Sequence, residues 1–151
     1  MLDLLPFSAN ILNAHKLNLN LNSGLRHKRI VLDYELDYYI KSGRKMILNG
    51  NEFWVNDDTI VFRKPGDLII SFGNYDCYIL NIDFSKKKEN YHGKYDRINR
   101  MNTMQELSSN KLLELIPAHF SVKNSSEYIK IFEKLCYYSN IEIQTKQKTC
   151  C

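Results

Sequence analysis

Three carboxylates, Asp33, Glu35 and Asp37, alternate with Tyr34 and Leu36 in the stretch "VLDYELDYYIKSG". On an extended strand Glu35 and Asp37 share one face about 7 Å apart. Such a pair could do acid and base work, but its commonest setting is a solvated outer face. The even positions Leu36, Tyr38 and Ile40 point the other way, so alternation predicts one buried face and one wet one. Metal chemistry would need imidazoles and a carboxylate converging on an open coordination position. The histidines, His15, His27, His92 and His119, are expected outside the strands where ligands would meet, and the residues just past the "KPGD" turn are Leu68, Ile69 and Ile70. No metal is therefore expected. Nucleophile elbows, phosphate loops and dinucleotide fingerprints are absent as well. Cys77, Cys136, Cys150 and Cys151 lack C-x-x-C spacing and read as ordinary thiols. No catalytic residue and no cofactor is assigned, and the chain is not expected to be an enzyme.

The elements that position these residues are legible from Arg29 to Phe84, where short alternating runs are separated by turns every eight to ten residues. "YELDYYIK" is followed by "MILNG", and Asn49-Gly50 is a strong hairpin signal, because both residues tolerate the positive φ of a type I′ turn. "NEFWV" returns, "NDD" turns, "TIVFRK" follows, and Pro65-Gly66-Asp67 makes a further corner. "LIISF" and "CYILNIDF" complete about six strands. Ahead of Arg29, "ANILNAHKLNLNL" suits an edge strand or an arm. Together these are the pattern of an antiparallel sandwich or barrel.

After Phe84 the chain changes character. "SKKKENYHGKYDRINRMNTMQ" is polar and without period, and reads as a surface connection; "LLELIPAHFSV" suits an extended segment packed on the sheets. "NSSEYIKIFEKLCYYSN" is the best helix, with Asn124 and Glu127 placed as a capping box and a wide apolar stripe, Tyr128, Ile129, Ile131, Phe132, Leu135, Cys136 and Tyr138. Such a helix packs on the outside of its own sheets or makes a dimer contact. "IEIQTKQKTCC" could begin another helix and stops without a cap, as a piece of a longer protein would.

The totals agree with this plan. The chain has 151 residues, enough for one domain with a core and a pocket. Its formal charge of +4 is scattered and too mild to argue nucleic-acid binding. The first thirty residues do not form a secretion signal, and no run approaches a membrane span. A cytoplasmic protein without membrane contact is expected.

At this point the residues resemble a known family. "YELDYYIKSG", the "NGNEFWV" return, the "FRKPGD" turn and the closing "YDCYILNIDF" stand in the order and spacing of the amino-terminal sensor domain of AraC-family transcription regulators, over residues 25 to 140. "LLELIPAHF" and a helix containing "IFEKL" continue the likeness. One departure is "NDD", where many relatives have a proline-glycine-aspartate turn. The resemblance implies a mainly β fold, a cupin-like antiparallel barrel or jelly roll over residues 1–123, with one or two helices for dimerisation over 124–151. Metal-dependent cupins place their histidines where this chain has none. The family binds a small effector, commonly a sugar or metabolite, and forms homodimers. A carboxy-terminal domain with two helix-turn-helix motifs reads DNA, and its recognition helix is expected beyond Cys151.

An effector barrel needs an enclosed space and a few orienting polar groups. The candidates are Tyr38, Trp54, Arg63 ahead of the turn, Tyr78 and Asn81 on the last strand, and Arg29, which lies where the family's arginine contact falls. Tyr78 and Asn81 have opposite parity, so one of them at most faces inward. Each also has a structural reading: Tyr38 and Trp54 as core, Arg63 as an outward ion pair. The alternatives to a sensor are a metal-free cupin enzyme of the sugar isomerase or epimerase type, and a dimerisation module with a filled core.

Overall fold

The structure is a computed structural model and describes residues 10–19, 26–84 and 111–148. The polar connection after Phe84, His92 and the Cys150–Cys151 pair lie outside the described residues. All six alternating runs are strands: β3 (Tyr34–Lys41), β4 (Arg44–Leu48), β5 (Asn51–Val55), β6 (Thr59–Arg63), β7 (Leu68–Phe72) and β8 (Tyr75–Asp83). Two strands precede them, β1 (Asn10–Leu19) and β2 (Arg26–Ile30). The segment predicted as extended after residue 110 divides into a helical turn, α1 (Lys111–Glu114), and a short strand, β9 (His119–Ser121). The main helix, α2 (Ser125–Lys148), starts after Asn124, whose carbonyl accepts from the N–H of Glu127 at 3.0 Å and of Tyr128 at 3.3 Å. It runs unbroken through "IEIQTKQK", so the second helix suggested by the sequence is the end of the first.

Turn chemistry fixes the strand register. Asn49 and Gly50 take φ of 51° and 84°, the type I′ geometry whose twist matches that of the flanking strands. At the proline corner the Asp67 N–H bonds the Lys64 carbonyl at 3.1 Å while Gly66 sits at φ 91°, as a type II turn requires. The "NDD" corner is held by Asp58 at φ 56°.

The strands form two antiparallel sheets, ordered β1-β8-β3-β6-β9 and β2-β7-β4-β5. β3 is central in the first sheet, with Glu35 opposite Asn81 on β8 and Arg63 on β6. Tyr34 and Tyr38 of β3 join a core with Phe132 of α2, whereas Tyr39 joins a core with Met46, Val55 and Ile69 of the second sheet. The five-stranded sheet is thus a middle layer, with α2 on one face and the four-stranded sheet on the other. Alternation predicted one solvated face for β3; both are covered, because the helix takes the even side and the second sheet the odd side. Among the described residues the two sheets share no ladder and are stacked layers rather than one closed barrel. At one edge they touch where Phe53 of β5 stacks on His119 of β9, with centroids 4.2 Å apart. At another, the Ala14 N–H on edge strand β1 donates to Ser139 Oγ of α2 at 3.1 Å, which blunts an otherwise unpaired edge. Among the described residues no helix is long and apolar enough to cross a membrane.

Candidate functional site

Between the sheets lies a charged cluster where a hydrophobic layer would be the simpler filling. The register of β3, β6 and β8 aims Glu35, Asp37, Arg63 and Asn81 inward, and Arg29 reaches in from β2. Arg29 grips Glu35 with both prongs, Nη1 to Oε1 at 2.8 Å and Nη2 to Oε2 at 2.5 Å. Arg63 Nη1 lies 3.1 Å from Glu35 Oε2 and 2.6 Å from Asp37 Oδ2, and its Nη2 donates to Tyr39 Oη at 2.6 Å. Asn81 Nδ2 reaches Glu35 Oε1 at 3.4 Å. The side chains of Arg63 and Asp37 are 2% and 1% exposed and that of Glu35 7%, while Arg29 at 29% carries the cluster to the surface.

Two cations and two carboxylates balance, which is the condition for keeping charge away from water. Burial alone would push the Glu35 carboxyl up, but the hydrogen bonds and charge of Arg29, with the charge of Arg63, hold it below its ordinary value. For Arg63, burial works against the charge and Asp37, Tyr39 and Glu35 outweigh it, so its pKa is raised. Asp37 goes the other way: complete burial, opposed by Arg63 and reinforced by the charge of Glu35, pushes it up to about 6. Its Oδ1 has no hydrogen-bond partner, and neither has Arg63 Nε. A carboxyl near 6 is suited to proton transfer, but Asp37 is sealed from any substrate. The partly exposed members, Arg29 and Asn81, can bind and orient. His27, two strand positions before Arg29 and so on the same face, is lowered by burial and by the charges of Arg29 and Arg63.

The structure divides the six candidates by parity. Arg29, Arg63 and Asn81 meet at Glu35. Tyr38 and Tyr78 lie on the opposite face of the same sheet, with ring centroids 5.6 and 5.7 Å from Phe132 of α2. Tyr38 Oη donates to Asp58 Oδ1 at 2.6 Å and Tyr78 Oη to Glu133 Oε1 at 3.2 Å. Neither faces the space between the sheets, because strand parity there belongs to the odd positions. Trp54 lies on the outer face of the second sheet, 56% exposed, with Lys45 Nζ 5.7 Å from its ring. Arg63, whose structural reading was an outward ion pair, points inward. The sequence sets Glu35 and Asp37 on a solvated face, whereas the structure buries them; the signal for burial is that an arginine, Arg63, ends the strand that pairs with theirs. His15, His27 and His119 fall on β1, β2 and β9, not on β3 or on β7 after the proline turn, the strands where ligands would have to be. Among the described residues no group of three or more His, Cys, Asp or Glu is placed to hold a metal ion.

No family model matches this chain, and no curated protein does. Among solved structures it is similar to the plu4264 protein from Photorhabdus luminescens, with a TM-score of 0.40 and 10% identity over 66% of this chain and 85% of that one.

Proposed function

We propose that this chain is a small-molecule-sensing and dimerisation unit of the kind found at the amino terminus of AraC-type regulators, with its two sheets arranged as a jelly roll. The sheet orders support the jelly-roll reading: strands 1-8-3-6 stand opposite 2-7-4-5, the order produced when a chain folds back on itself through two Greek keys. One observation carries the functional reading. β3 and β8 bear Glu35 and Asn81 of the polar interior on one face, and Tyr38 and Tyr78 beneath Phe132 of α2 on the other. An effector that takes hydroxyl or carboxylate contacts with Arg29, Glu35 and Asn81 therefore moves strands whose reverse side seats the helix. A second copy, meeting the exposed side of α2, would read that movement as a population shift. A tethered DNA-binding domain would be the output, the chain being cytoplasmic.

Thermal denaturation against a panel of sugars and metabolites tests the reading. An effector at a hundred times its dissociation constant adds about 2.7 kcal/mol. The rise should disappear in Asn81→Ala and Arg29→Met and persist in Trp54→Ala. No rise for any compound would favour a filled, constitutive dimerisation module, and conversion of a compound would favour an enzyme.

A further inference from the structure

At the other end of the middle sheet lies a cleft of about 290 Å³, lined by residues 18–19, 41–42 and 74–76. Along β3 the register places it at the Lys41–Asp76 pair, six residues from the Glu35–Asn81 pair, or about 20 Å at the usual strand rise. It is a separate site. A bulge between Tyr39 and Lys41 breaks the ladder there, the kind of irregularity that re-aims side chains.

Two groups are chemically unfinished, one lining the cleft and one behind it. Ser42 Oγ is buried without a hydrogen-bond partner, although the Ser42 N–H is satisfied by Asp57 Oδ1 at 2.8 Å. Behind Tyr75, Arg44 lies with its guanidinium carbon 3.4 Å from the ring centroid and is itself only 7% exposed. Its Nη1 caps the carbonyls of Phe72 and Gly73, but Nε and Nη2 have no hydrogen-bond partner, and among the described residues no carboxylate pairs with it. Burial accordingly holds the Arg44 pKa below its ordinary value. A buried cation met by the side chains of Tyr39 and Tyr75 and by carbonyl dipoles, with no carboxylate among the described residues, favours an anion nearby. Lys41 adds a second positive charge at the rim. Asp76, the partner of Lys41 across the ladder, accepts from Asn18 Nδ2 at 2.8 Å through Oδ1 and supplies a negative one beside it.

We propose that this cleft is a binding site for a small carboxylic acid bearing a hydroxyl or amino group next to its carboxylate. The carboxylate pairs with Lys41 Nζ, and Ser42 Oγ, buried and without a partner in the free chain, turns to donate to it, with Arg44 behind Tyr75 adding charge from outside the lining; the neighbouring group donates to Asp76. The volume suits a molecule of a few carbon atoms rather than a drug-sized ligand.

Nuclear magnetic resonance titration of the chain with L-lactate, L-alanine and the neutral amide lactamide tests this. Lactate or alanine should shift the amides of Ser42 and residues 74–76 saturably, with lactamide inert; which acid binds tighter identifies the neighbouring group. Ser42→Ala should leave the free protein as stable or more so, because the lost hydroxyl had no partner, yet weaken binding about tenfold. Lys41→Gln should weaken it similarly, and Arg29→Met should leave it unchanged. The proposal is overturned if neither acid binds, if lactamide binds as well, if Ser42→Ala binds like the parent, or if the shifts centre on Glu35 and Asn81. Because Arg29→Met is silent here and decisive for the effector site, the two readings stand or fall separately.

Discussion

Arg63 is the residue on which the interior turns. It is shared by Glu35, Asp37 and Tyr39, so removing it leaves two carboxylates facing each other in a sealed layer. Arg63→Met should cost about 3–5 kcal/mol in urea denaturation, the size expected when half of a buried ion pair is lost. Adding Asp37→Asn to that variant should restore part of the loss. The raised pKa of Asp37 also predicts a pH dependence. A folded pKa of about 6 against 3.8 in the unfolded chain means that the folded state binds the proton more tightly. Stability therefore falls as pH rises from about 4 past 6, by about 3 kcal/mol at 1.36 kcal/mol per unit. Glu35 has the opposite sign, contributing stability above 4.5 that is lost as pH falls through its lowered folded value. His27, lowered from 6.5, also favours the folded state at higher pH, although more weakly because it is mostly exposed. The comparison that isolates Asp37 is with Asp37→Asn. That variant should lose the decline between pH 4 and 7, and an unchanged profile would place the titration elsewhere.

At the scale of elements, Phe132 is the most deeply buried ring of α2 among the described residues, with Tyr128, Ile129, Leu135 and Cys136 packed around it. Phe132 is 3% exposed between Tyr38 and Tyr78, whereas Tyr137, five residues on, is 63% exposed. Phe132→Ala should cost about 3–5 kcal/mol and Tyr137→Ala less than about 0.5 kcal/mol, measured by thermal unfolding. The β4–β5 hairpin offers a contrasting case. A Cβ at Gly50 would meet nothing within 4 Å, so Gly50→Ala is opposed only by φ of 84° and should cost about 1 kcal/mol. Hairpins were readable because their turns need particular residues at particular positions. The face of each strand was readable from parity as well. What lay opposite each face was not, since alternation reports only that two sides differ.

For the whole molecule, the exposed side of α2 carries Ile131, Tyr137, Tyr138 and Ile141, each 44–63% exposed, beyond the face that Phe132 buries. Of the apolar stripe read from the sequence, Phe132 is buried while Ile131 and Tyr138 stay exposed, and that exposed part is the face a second copy would cover. Sedimentation should find a dimer that Tyr138→Glu dissociates while secondary structure is kept; a wild-type chain that stays monomeric at high concentration would remove dimerisation from the functional reading. An effector that changes the dimer constant would tie the polar interior to the helix.

Much of this protein was determined locally. Six strands, the I′ and II turns and the start of a long helix follow from φ preferences, side-chain alternation and a 3.6-residue period, all of which act over a few neighbours. Layering was decided only in three dimensions. When the second sheet closed over the odd face of β3, Glu35 and Asp37 changed from solvated carboxylates into half of a buried charge network, and Arg63 became their counterion. When α2 settled on the even face, Tyr38 and Tyr78 became its seat rather than the lining of the interior. The energy of a charge depends on whether water remains beside it, and that is fixed by segments distant in sequence.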